Sequence, residues 1–169
     1  MKRIISILTV LVATVAAAGC GGTTTVTKTV TVTPAAQSDE IAQFGYVKSL
    51  ERKGSGYEMR FDPALLLSGQ TANVAAAEDG AVPAGEPVPN DNYVVDEGHR
   101  LLTYEVPADA RVTALTRGVE GSPITVAQLA QLVHGKNPFG KPLFEPITTG
   151  FWIHVRIDTV RSLDQQYHP

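Results

Sequence analysis

A single cysteine, Cys20, is what most restricts the folds open to this 169-residue chain. One thiol cannot close an intrachain disulfide, so a folded domain here must be held together by its apolar core alone. The cysteine is also oddly placed. In VAAAGCGGTTTVTKTVTVTP, residues 15–34, it separates an apolar run from a tract made almost wholly of threonine and valine.

The residues ahead of it have the three-part layout of an export signal. Met1, Lys2 and Arg3 give a positive start, Ile4 to Val15 are apolar apart from Ser6, Thr9 and Thr14, and Ala16 to Gly19 are small. The apolar part is shorter than the roughly 20 residues a spanning helix needs, so it reads as directing export and then being removed. Ala17, Ala18, Gly19 and Cys20 resemble the lipobox of bacterial lipoproteins, a resemblance confined to residues 1–20. It implies cleavage after Gly19 and a diacylglyceryl group on the Cys20 sulfur. The mature protein is then expected on the extracytoplasmic face of the cell membrane. Each buried methylene contributes about 0.8 kcal/mol, and two long acyl chains hold a protein on a bilayer where one does not. The alternative is an ordinary secretory signal with a chance cysteine at its end.

Removal of the signal takes away Lys2 and Arg3, leaving 12 of the 14 Lys and Arg against all 17 Asp and Glu, a formal charge of -5 in place of -3. The remaining length suits one domain. With no basic run, nucleic acid is not an expected partner. With Cys20 committed to lipid, neither a cysteine metal site nor a thiol nucleophile is available, and no cofactor is expected.

Residues 20–43 read as a Thr/Val-rich flexible tether. Alternating Thr and Val favour extended backbone, but such a strand has little apolar area with which to dock, and a spacer is what a lipid site calls for. At about 3.3 Å per residue, fully extended, it reaches up to about 75 Å. Residues 44–169 are the expected globular domain. FGYVKSL reads as a strand, ERKGSG as a turn, and YEMRFD as a second strand with Tyr57, Met59 and Phe61 on one face and Glu58, Arg60 and Asp62 on the other. Asp62 followed by Pro63 predicts a helix start, and ALLLSGQTANVAAAEDG continues as one broken helix, or as a helical turn plus a helix, ending at Gly80. AVPAGEPVPND is a loop, and NYVVDEGHRLLTYEV reads as two strands bending at Asp96, Glu97 and Gly98. RVTAL adds another strand. Thr125 and Gln128 form a capping box ahead of the helically spaced Val126, Leu129, Ala130 and Val133, with Gly135 as the stop. FWIHVRIDTVRSLDQQYHP reads as a terminal strand pair or one long bent strand. The expected fold class is α+β, a curled antiparallel sheet or small open β-barrel of about six to seven strands with two helices.

Few motifs carry chemistry. GKNPFGKP has the glycine and lysine spacing of a phosphate loop, but Pro142 replaces the magnesium-binding hydroxyl and no strand leads in, so it reads as a surface loop with solvated lysines. Asp91, Asp96, Glu97 and His99, with Glu78 and Asp79, offer oxygen ligands whose spacing fits no calcium loop, and turn formers and helix ends explain them better. Ser68 and Ser122 lack the flanking glycines of a nucleophile elbow. Of the histidines, His134 ends a helix, where a positive ring suits the dipole, and His168 sits near the end as a free terminal residue. His154 stands out. In a strand FWIHVRI, Phe151, Ile153, Val155 and Ile157 face the core, which puts Trp152, His154 and Arg156 together on the other face.

An aromatic ring, a titratable ring and a guanidinium side by side suit a partner surface, though strand packing under a loop produces the same pattern. The expectation is a non-enzymatic binding or interaction domain at the bacterial envelope, held by its lipid anchor and contacting an envelope protein or glycan through Trp152, His154 and Arg156. The alternatives are an envelope hydrolase using His154 or His99 with nearby carboxylates, and a small-molecule carrier with an apolar pocket.

Overall fold

The computed structural model describes residues 39–98 and 100–168. Cys20, the signal, the tether up to residue 38 and His99 lie outside the described residues. The elements are β1 (Ile41–Lys53), β2 (Gly56–Ser68), α1 (Gly69–Glu78), β3 (Asn92–Val95), β4 (Leu102–Val106), β5 (Arg111–Ala114), β6 (Ser122–Ile124), α2 (Val126–Val133), β7 (Phe151–Arg156) and β8 (Thr159–Gln165). The fold is α+β with two helices and a small barrel. Strands β1, β2, β4, β8 and β7 close on themselves, every neighbour antiparallel except β4 beside β8. That order makes a five-stranded Greek-key barrel of OB-like connectivity. Strand β3 extends the sheet beyond β4 along β2, and β5 and β6 extend it from β8. β6 is too short and too polar to be read from sequence, which is why one strand was not expected.

The predicted helix start at Asp62–Pro63 is not there: β2 runs straight through both residues, and α1 begins only at Gly69. The reason lies across the sheet. Gly45 of β1 stands opposite Pro63, and a Cβ at Gly45 would overlap the Asp62 carbonyl and come within 2.9 Å of Pro63 Cα. The missing side chain lets β2 stay extended against β1. On its other edge β2 pairs with β4 through Tyr57 to Phe61 and with β3 through Leu65 to Ser68, so Pro63 occupies the gap between them, where a strand can spare an N–H.

Alternation works as expected lower in β2. Tyr57, Met59 and Phe61 are buried, and with Leu50, Val106, Phe151, Ile153, Val160 and Leu163 they fill the barrel. Asp62 departs from the pattern. It points away from that core yet is only 7% exposed; its Oδ2 meets Lys48 Nζ at 2.9 Å where β1 bulges, while Oδ1 is buried without a hydrogen-bond partner. β1 also starts earlier than Phe44, since pairing with β7 extends back to Ile41 opposite Val155. Ile157 is not a core residue: it is 83% exposed, with Ile157 and Asp158 both at positive φ (48° and 56°) in the tight turn joining β7 to β8.

Helix α1 packs Ala72 and Ala76 against Leu67, Val88 and Tyr93 in a second, smaller cluster. Helix α2 carries the predicted capping box, with Thr125 Oγ1 accepting from the Gln128 N–H at 3.1 Å, and buries Val126 and Leu129 in the barrel cluster. His134 ends α2, with Nδ1 2.6 Å from the Ala130 carbonyl and Nε2 2.9 Å from Glu51 on β1. The Ala130 carbonyl first, then Glu51, hold the imidazolium above its ordinary range.

Two predictions follow from these contacts. Gly45→Ala lowers unfolding stability by about 2 kcal/mol through overpacking against backbone. Gly54→Ala, in the β1–β2 turn at φ 60° with open space around it, costs about 1 kcal/mol of backbone strain. Urea unfolding of both variants checks the ranking, and the reverse order would mean that the Gly45 approach is unimportant. A protonated His134 stabilises the fold fully below the unfolded pKa near 6.5, and this contribution fades as pH rises through the raised folded value. The melting temperature of His134→Gln should therefore lie below that of the parent protein at pH 6, with the gap closing towards pH 9; a gap independent of pH would sink the assignment.

Candidate functional site

The outer face of β7 assembles the predicted trio as the strand period requires: Trp152 and His154 are half-buried and Arg156 is exposed, while Phe151, Ile153 and Val155 point inward. Across the sheet Trp152 pairs with Phe44 and His154 with Ala42. The Phe44 and Trp152 rings lie 5.5 Å apart between centroids, and Tyr46 meets Phe44 edge-on at 6.0 Å. Burial first, then the charge of Asp96, pushes the Tyr46 hydroxyl above its ordinary range.

His154 and Arg156 already have partners. His154 Nδ1 is 3.2 Å from Glu40, and Arg156 lies at 4.0 Å from Asp39, the acids that lead into β1. All four side chains are at least one-third exposed, so these pairs contribute little to stability. They do orient the ring and the guanidinium along the strand. Trp152 is held differently: its indole N–H donates to Gln166 Oε1 at 3.0 Å. The terminal segment is folded back rather than free, with the Gln166 N–H on the Gly150 carbonyl at 3.0 Å and the His168 ring 6.2 Å from Phe44.

Beside Trp152 lies an apolar groove of about 290 Å³, bounded by Phe44, Pro63 and Leu65 to Leu67. Leu65 is 56% exposed on its rim. This groove exists because β2 continues past Pro63 as a strand. A helix from Pro63 would have dispersed the leucines, so the sequence reading, which placed them on a helix, missed it.

A hydrolytic site needs a nucleophile within reach of a histidine whose other nitrogen is oriented by a carboxylate. His154 has the carboxylate in Glu40, and buried Ser162 is its cross-strand neighbour on β8. Among the described residues no hydrogen bond joins His154 to a hydroxyl, so only part of such a constellation is present. His99 lies outside the described residues. The acids weighed as metal ligands serve local structure: Asp79 accepts from the Tyr93 hydroxyl at 3.0 Å, and Asp96 from the Gly98 N–H at 3.1 Å. No three His, Cys, Asp or Glu among the described residues lie together as a metal cluster.

The surface that OB-like barrels use for oligonucleotides, the face of their second and third strands, is here crossed by acids. Glu51, Glu58 and Glu105 are paired in register across β1, β2 and β4, with Lys53 on Glu58 and His134 on Glu51.

A second groove, of about 990 Å³, runs between the β5–β6 hairpin and the stretch around GKNPFGKP. The lysine read as solvated, Lys141, lines it together with Arg117, Phe139 and Phe144. Its wall is fixed by backbone bonds from Phe144 to Thr116 and from Glu145 to Leu115, at 3.3 and 3.1 Å. Gln165 staples the same region, accepting from the Leu115 N–H at 2.8 Å and donating to the Pro146 carbonyl at 2.8 Å. Nothing in the local sequence marks Gln165 for this task, because its partners come from two segments distant in the chain.

No protein-family model matches the chain, and no significant match is found among curated proteins or solved structures.

Proposed function

We propose that this is a lipid-anchored lipoprotein of the extracytoplasmic face of a bacterial membrane, whose domain binds an envelope protein through the surface around Trp152. The anchor rests on Cys20 and the small residues before it. The observation that supports the contact surface is the groove between Trp152 and Leu65, an exposed apolar strip on a face where His154 and Arg156 lie beside Glu40 and Asp39. Exposed apolar strips with a polar rim are the usual mark of a protein contact. His154 and Arg156, with Glu40 and Asp39, supply that rim. A carrier function finds less support, since the barrel interior is filled by Phe61, Phe151, Met59 and their neighbours and the grooves are open at the surface.

The two parts of this reading are tested separately. In the native host, Cys20→Ser should move the protein from the detergent phase to the aqueous phase in phase separation; an unchanged distribution would refute the anchor. A photocrosslinking residue placed at Leu65 should capture a discrete envelope protein, and capture should fall several-fold with Trp152→Ala. The same crosslinker at Val119, exposed in the β5–β6 connection on the far side of β8 from β7, should not capture it. Equal capture from both positions would remove the contact surface.

A further inference from the structure

The groove at β5 and β6 is separated from the Trp152 surface by β8, and the anchor reading does not depend on it. Its lining combines three properties. Arg117 and Lys141 face into it, and no carboxylate is among its lining residues, although the whole chain is acidic. Phe139 and Phe144 add aromatic rings, Phe144 being 46% exposed and propped by Tyr167 at 6.0 Å. The wall is held by the Gln165 staple and by Asn137, which accepts from the Phe139 N–H at 2.9 Å and donates to the Lys141 carbonyl at 2.6 Å. Aromatic faces and cations are therefore presented with little ordering left to do on binding.

The edge strand narrows the choice of ligand. β6 is three residues long with Pro123 at its centre, so it lacks a donor where an added peptide strand would bond. Two cations are too few to track a nucleic acid backbone. They suffice for carboxylates spaced along a short chain, which an arginine fork grips in bidentate fashion. Aromatic rings beside them suit a ligand with flat apolar faces between its charges, and the volume accommodates a few sugar rings.

We propose that this groove binds an anionic saccharide bearing uronate-type carboxylates, with Arg117 and Lys141 taking the charges and Phe139 and Phe144 the ring faces. The test uses the full chain in detergent and tetragalacturonate as probe, followed by isothermal titration at low salt. Saturable binding is expected, weakened about tenfold by Arg117→Gln or Lys141→Gln and several-fold by Phe139→Ala. Arg161→Gln, an exposed change on β8 outside the groove, should leave it unaltered. Maltotetraose, with rings but no charge, should bind at least tenfold more weakly, and so should tetra-aspartate, with charge but no rings. Absence of saturable binding by the folded protein overturns the proposal. Equal affinity for tetra-aspartate or for a short oligothymidylate does the same, as does an equal loss in Arg161→Gln. Melting curves of each variant identify any loss caused by unfolding, and Lys141→Gln, at an exposed loop position, is the variant least exposed to that outcome.

Discussion

Closure of the barrel rests on one short parallel contact. Strand β8 meets β4 only at Thr159 beside Glu105, before passing on to pair with β5 from Ser162 to Asp164. The tight turn ahead of it makes the contact possible: with Ile157 and Asp158 both at positive φ, the Asp158 carbonyl is turned to accept the Glu105 N–H at 2.9 Å. A β-branched residue tolerates that conformation poorly, so the turn carries a cost that the closed barrel offsets. What it secures is a filled interior, with Phe61, Phe151, Met59 and Ile153 all fully buried.

Where the sequence could be read, it was read from strictly local signals. The alternation in YEMRFD and the capping box at Thr125 depend on neighbours a few residues away, and both appear as expected. The α+β class followed from the order of such segments. The misplaced helix start had a different origin. Asp62–Pro63 is a good local signal for a helix, but Gly45, seventeen positions earlier, removes the side chain that would keep two strands apart, and pairing overrides propensity. Ile157 was lost similarly, since the period of two that fits Phe151 to Val155 stops at a turn lacking the glycine or asparagine that usually announces one.

The candidate surfaces divide along the same line. Trp152, His154 and Arg156 sit at alternate positions of a single strand, so their shared face was legible. The acids that occupy two of them come from the approach to β1, a contact that no spacing reveals. The groove lined by Arg117 and Lys141 was hidden more completely, because its walls come from a hairpin and a loop joined through Gln165. A polar residue with side-chain bonds to two distant segments looks, in one dimension, like any other surface glutamine.

The triple partnership of β8 also sets an order of events. The β1–β2 hairpin needs only adjacent sequence, and both helices need only their own, but β4, β5 and β7 all wait for residues 159–165. Until that strand arrives, β4 has β2 on one side and nothing on the other, and the apolar faces of the hairpin remain open to water. Assembly is thus weighted towards long-range contacts, which slows it relative to chains of the same size built from local pairs. For a chain that emerges from its amino end, the barrel snaps shut only after residue 165 is free, and its half-built form is the state most in need of protection from its neighbours.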